Sequence, residues 1–172
     1  MNHLAWTTSP DMVDPSQLDA LARDSVEVQV DDPYLAEVDT ADLSRAVASV
    51  LLAEGRAAGQ VTVVLTDDEA VAALNHQYRG DPGPTDVLSF SNQEPAPGFV
   101  SPPDVPLYIG DIIIALPFTR RQAAELGRPL ADELRMLVVH GALHLLGYDH
   151  DEPDSEARMW SRQEQILAGL ER

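Results

Sequence analysis

Three of the chain's five histidines fall within one short stretch, His140-Gly141-Ala142-Leu143-His144-Leu145-Leu146-Gly147-Tyr148-Asp149-His150. Side chains four residues apart share a helix face. His140 and His144 therefore point the same way, at a spacing that suits two ligands of one ion. Glycine accepts the left-handed backbone that ends a helix, so Gly147 lets the chain turn back and carry His150 to the same point. The pattern HxxxHxxGxxH has the spacing of the metzincin zinc site. The chain has no cysteine, so any metal must sit on His, Asp or Glu. Three neutral imidazoles on a tetrahedral zinc leave the fourth position to water, the layout of a hydrolytic centre. The spacing predicts one zinc ion on His140, His144 and His150. The plainer reading, a helix end that happens to be rich in histidine, fits one or two such residues better than three with a glycine at the turn.

In the peptidase version of the motif a glutamate follows the first histidine and acts as general base. Here that residue is Gly141. A zinc peptidase reading thus lacks its carboxylate, and Gly141 is expected to leave open space beside the metal for a bulky substrate. Asp149 and Asp151 flank His150. They are candidates for a base, for partners that orient a ligand ring, or for solvated surface. A second candidate is Arg79, placed where a helical pattern gives way to the stiff segment Gly80-Asp81-Pro82-Gly83-Pro84. A guanidinium held rigidly grips a phosphate through two parallel hydrogen bonds. Taken alone, most arginines are surface ion pairs.

The elements that must position these residues read as follows. Val26-Glu27-Val28-Gln29-Val30 alternates as a half-buried strand. Leu43, Val47, Val50 and Leu51 follow helical spacing, from a start near Thr40 or Asp42 to Gly55. Val61 to Leu65 is a second strand. Thr66 and Glu69 have the spacing of a capping box, opening a helix with Val71, Leu74 and Tyr78 that ends near Gly80. Residues 86–91 read as a third strand and 107–116 as a fourth, with Ile112-Ile113-Ile114 expected to be buried on both faces. Between them, residues 92–106 hold five prolines and read as a long exposed loop. Pro117 suits the first turn of a helix. Residues 130–146 are apolar nearly all round, which places that helix in the core. Pro153 opens a final amphipathic helix. Residues 1–25 lack sustained periodicity and read as a poorly ordered extension, with one domain over 26–172. The order βαβαββααα predicts an α+β layer structure.

Composition limits the partners. Eleven basic residues, all arginine, stand against 29 acidic ones, for a net charge of −18. The longest basic run is Arg120-Arg121, so the usual basic patch of a nucleic-acid binder is absent from the sequence, and contact with a polyanion must be local or assisted. No stretch approaches the roughly 20 apolar residues that span a bilayer, and the start of the chain lacks a signal-peptide pattern. A cytoplasmic enzyme without membrane attachment is expected.

The sequence resembles the YbeY family, the rRNA maturation factors described as single-strand-specific, zinc-dependent endoribonucleases. The resemblance runs from about Val26 to the C-terminus. It is carried by Leu74-Asn75 with Tyr78-Arg79-Gly80, by Pro84-Thr85-Asp86-Val87-Leu88-Ser89-Phe90, by Gly110-Asp111-Ile112, and most specifically by the segment from His140 to His150. Met159 and Gln163 to Leu167 fit the family's closing helix. The resemblance implies a mixed sheet packed with helices, here four-stranded, with the two-histidine helix at its centre. It implies zinc on His140, His144 and His150, and a catalytic role for Arg79 on the phosphate. It also implies a substrate of single-stranded ribosomal RNA, 16S 3′-end maturation, a part in ribosome quality control, and a ribosome or ribosomal protein as partner. The sequence departs from the family where Pro82 replaces an aspartate of the loop, which is expected to reshape the loop while keeping Arg79. Two rival readings stand beside this one: a zinc metallopeptidase-like hydrolase, and a non-enzymatic, zinc-stabilised ribosome assembly factor.

Overall fold

Alternation of β-branched residues with polar ones builds four strands, and the computed structural model describes them within residues 14–92 and 105–171. They are β1 (Val26–Val30), β2 (Gly59–Thr66), β3 (Val87–Ser91) and β4 (Leu107–Ala115). The sheet order is β1-β2-β4-β3. β1 and β4 both run parallel to β2, whereas β3 is antiparallel to β4 and forms an edge. Parallel neighbours need a crossover. The first is supplied by α2 (Thr40–Ala53), and α3 (Asp68–Arg79) with β3 lies within the second.

The strands' period of two sorts the two faces. Val61, Val63, Leu65, Ile112 and Ile114 are buried in the main core with Leu43, Val47 and Leu51 of α2 and Leu134, Val138 and Leu143 of α5 (Leu130–Leu145). On the other face a smaller cluster joins Val71, Leu88 and Ala115 to half-buried Ile113, Phe90 and Phe118. The Ile112-Ile113-Ile114 run thus serves both faces. The apolar helix is central, as its pattern required. After it comes α6 (Pro153–Leu170), which packs Met159 and Ile166 into the same core. Between β4 and α5 lies α4 (Leu116–Glu125), with a proline in its first turn. The fold is therefore α+β with one mixed four-stranded sheet.

Two expectations are corrected. Residues 15–25, read as part of an unordered extension, form a helix, α1 (Pro15–Ser25), capped by Asp14. Its apolar stripe is only Leu18, Leu21 and Ala22, which meet the main core; so short a stripe among polar residues is easily overlooked. Residues 1–13 lie outside the described residues. The cap of α3 is Asp67, which accepts the Ala70 N–H at 2.7 Å, and not Thr66. Thr66 still belongs to β2, and its hydroxyl donates to Asp31 at 2.6 Å. Of the proline-rich segment, residues 93–104 also lie outside the described residues.

Candidate metal centre

The last turn of α5 places His140 and His144 one above the other, with ring centroids 4.6 Å apart. Gly147 follows with φ of +93°, a backbone that only glycine adopts cheaply. The Tyr148 N–H then donates to the Leu143 carbonyl (3.1 Å) and the Gly147 N–H to the His144 carbonyl (3.0 Å), the paired bonds of a Schellman turn. This turn reverses the chain and brings the exposed His150 ring to 5.0 Å from the His144 ring and 5.8 Å from that of His140. One nitrogen from each ring lies within 4.8 Å of the other two. The three histidines meet as their spacing predicted.

The outer nitrogens settle the tautomers. His144 Nδ1 is 2.9 Å from the Tyr148 carbonyl oxygen, which can only accept, so the proton sits on Nδ1 and Nε2 presents a lone pair. His140 Nδ1 likewise donates to Gln163 Oε1 at 3.0 Å. The two bare Nε2 atoms face each other at 3.0 Å. Burial pushes the pKa of both imidazoles down, against the opposing effect of the hydrogen bonds they donate to Gln163 and Tyr148. Protonating one ring to bridge the pair is therefore resisted. Two lone pairs so close repel unless a cation lies between them. Imidazoles on a tetrahedral zinc, with Zn–N of about 2.0–2.1 Å, stand about 3.3 Å apart, a small adjustment from the observed spacing. The donor set fits a metal ion.

The structure overturns the role given to Gly141. It is buried, and a Cβ there would stand 2.9 Å from Ile112 Cγ2 and 3.1 Å from Ser89 Oγ. The missing side chain lets α5 lie against β3 and β4; it does not open space beside the metal. Ser89 and Ser91 of β3 donate to the Gly141 and Leu145 carbonyls at 3.3 and 2.8 Å, stitching the sheet edge to the histidine helix. Asp149 is exposed and accepts from the Asp151 N–H at 3.4 Å. Its pKa is lowered first by the Ser155 side chain and then by that N–H. Asp149 thus serves the local turn.

Arg79 ends α3 and is exposed. Gly80 follows in the left-handed region at φ 76° and donates back to His76. The next loop is pinned by Asn75, only 6% exposed, whose amide donates to the Gly83 carbonyl at 2.8 Å. The loop with Pro82 therefore has a buried anchor. Among the described residues six arginines pair with carboxylates, and Arg79 is not one of them. Its charge contributes to lowering the His144 pKa, and that of Asp86 opposes the lowering at His140. The end of α3 and the start of β3 thus lie within electrostatic reach of the histidines.

Reading the sequence missed Gln163 as a ring partner. A signal was present: Met159, Gln163 and Ile166 share the buried face of α6, and a glutamine on an apolar stripe calls for a polar partner.

An α+β layer fold whose central helix ends in a three-imidazole corner defines a protein of the metallohydrolase kind. Comparison with known proteins narrows this. A family model described as Endoribonuclease YbeY matches residues 26–171. Endoribonuclease YbeY of Roseiflexus sp. (strain RS-1) is 48% identical over 149 residues, covering 85% of this chain and 92% of that protein. The protein of the same name from Moorella thermoacetica is 45% identical over 155 residues, covering 85% and 96%. The solution structure of TM1509 from Thermotoga maritima is similar with a TM-score of 0.55 at 26% identity, over 84% of this chain and 88% of that one. The chain belongs to the YbeY endoribonuclease family, enzymes that break phosphodiester bonds within RNA. The helix α1 precedes the matched stretch. Among the described residues no helix is long and apolar enough to cross a membrane.

Proposed function

We propose that this chain is a zinc-dependent, single-strand-specific endoribonuclease of the cytoplasm. Its work would be maturation of ribosomal RNA, at the 3′ end of 16S rRNA, and ribosome quality control. The observation that carries the metal part is the pair of bare, half-buried Nε2 atoms at 3.0 Å with His150 beside them. His140, His144 and His150 hold the ion, and Gln163 and Tyr148 orient the first two rings. When bound, zinc supplies an acidified water and a Lewis acid for a phosphate oxygen.

In this reading Arg79 supplies the phosphate-binding cation, and its charge already reaches His144. Its guanidinium has no carboxylate to satisfy it among the described residues, so it is free to hold a non-bridging phosphate oxygen as negative charge builds there. The peptidase reading loses further ground. The position of its glutamate is Gly141, whose missing side chain points into Ile112 and Ser89. The net charge of −18 repels free RNA at long range. We therefore expect slow cleavage of naked RNA that rises when a ribosomal particle or ribosomal protein presents the strand.

The test combines metal analysis of the purified chain with cleavage of one RNA in single-stranded and duplex form, with casein as a peptidase control. The expected result is about one zinc per chain and cutting of the single strand alone, lost with chelator and restored by zinc. Equal cutting of the duplex, or cutting indifferent to chelator, overturns the proposal.

A further inference from the structure

Three elements distant in sequence meet behind the histidines. Glu54 is the C-cap residue of α2, an unfavourable place for an anion because the helix dipole is negative there. Its side chain is only 18% exposed, so the carboxylate needs compensation. Arg162 Nε donates to Oε1 at 2.6 Å, and the Tyr148 hydroxyl donates to Oε2 at 3.1 Å. Arg162 also donates to the Ala53 carbonyl at 2.7 Å, which occupies an acceptor at the end of α2.

Each partner is one step from a ligand ring. The Tyr148 carbonyl holds His144 Nδ1, and two residues later comes His150. Arg162 adjoins Gln163, which holds His140 Nδ1. One carboxylate thus ties together the supports of both helical histidines and the turn that delivers the third. We propose that Glu54 is a positioning residue of the metal centre, clamping the Tyr148 turn to α6 and so setting where His150 stands relative to His140 and His144. Glu54 touches neither ring nor substrate; it acts through Tyr148 and Arg162. The proposal rests on the reading that the three histidines hold a metal.

Loss of an outer partner of a metal ligand typically weakens metal binding by about 10–100-fold. Glu54 stands one contact further out, so the lower end applies. The experiment measures zinc affinity of the full chain by competition with a chromophoric chelator, alongside thermal unfolding of the metal-free proteins. Glu54→Gln and Tyr148→Phe should each bind zinc roughly tenfold more weakly, and the double variant no more weakly than the worse single one, because both break one link. Unchanged zinc affinity with a lowered metal-free melting temperature makes Glu54 merely structural and overturns the proposal. So do fully additive losses. If Glu54→Gln fails to fold, Tyr148→Phe, which removes one hydroxyl and keeps the backbone carbonyl, carries the test. Wild-type chain that binds no zinc, or His144→Ala that binds as tightly as wild type, points to failure of the metal reading itself, and the clamp falls with it.

Discussion

At the histidine corner the polar atoms that aim the two helical rings are committed. Gln163, 4% exposed, and the Tyr148 carbonyl fix the rings of His140 and His144, and a Schellman turn fixes the path to His150. At the end of α3, by contrast, Arg79 stands exposed; Asn75 anchors the loop that follows at the Gly83 carbonyl, but the Arg79 guanidinium has no ion pair among the described residues. The difference matches the two tasks we propose for them. A metal ligand must be held before the ion arrives, because each degree of freedom it keeps weakens binding. A phosphate-gripping arginine must still have its hydrogen-bonding capacity when the substrate comes. An ion pair at Arg79 would have to be broken first.

The sharpest way to break that comparison is to remove one member from each side. His144→Ala deletes a ligand and should abolish stoichiometric zinc and lower RNA cleavage by about a thousandfold or more, since metal chemistry supplies several kcal/mol of transition-state stabilisation. The check is metal content by mass spectrometry together with initial cleavage rates. Arg79→Ala should lower cleavage by roughly a hundredfold to a thousandfold, the range for loss of one group aimed at a developing negative charge. Its zinc content should equal that of wild type. Zinc lost together with activity at Arg79 would make the loop part of the metal's support and erase the contrast between the two sides.

The contrast also explains what could be read in advance. HxxxHxxGxxH is legible because helix periodicity and the left-handed glycine act within a few residues, and the structure places the three rings as that local logic demands. What lies against the helix is not local. Spacing gives a face and not its neighbours, so the sequence alone leaves Gly141 reading as open space; Ile112 and Ser89 arrive from two different strands. Gln163 is 23 residues from His140, and Glu54 is 94 from Tyr148, so no window of sequence contains either pair. Strands and most helices were visible from their apolar periods. The sheet order β1-β2-β4-β3, which leaves β3 as the edge beside the histidines, depends on pairings that periodicity does not specify. The mixed character of the sheet came from likeness to the family.

The smallest effect concerns the apo protein and acid. The ordinary histidine pKa of 6.5 is lowered at both His140 and His144, chiefly by burial. A group whose folded pKa lies below its unfolded value binds more protons when unfolded, and stability then rises with pH across the gap. The contribution of these rings is therefore fully present above about 6.5 and is lost as the pH falls from there through the folded values. Most carboxylates titrate near 4, so the window just below 6.5 belongs mainly to the histidines. Metal-free protein should unfold at a lower temperature at pH 5.5 than at pH 7.5, whereas zinc-loaded protein should change little until acid releases the ion. His140→Gln, which removes one titrating ring, should show a shallower slope than wild type over the same window. Equal slopes, or a melting temperature that rises on acidification, would mean that His140 is not held neutral by its burial. The histidine corner would then be no more preorganised than the exposed Arg79.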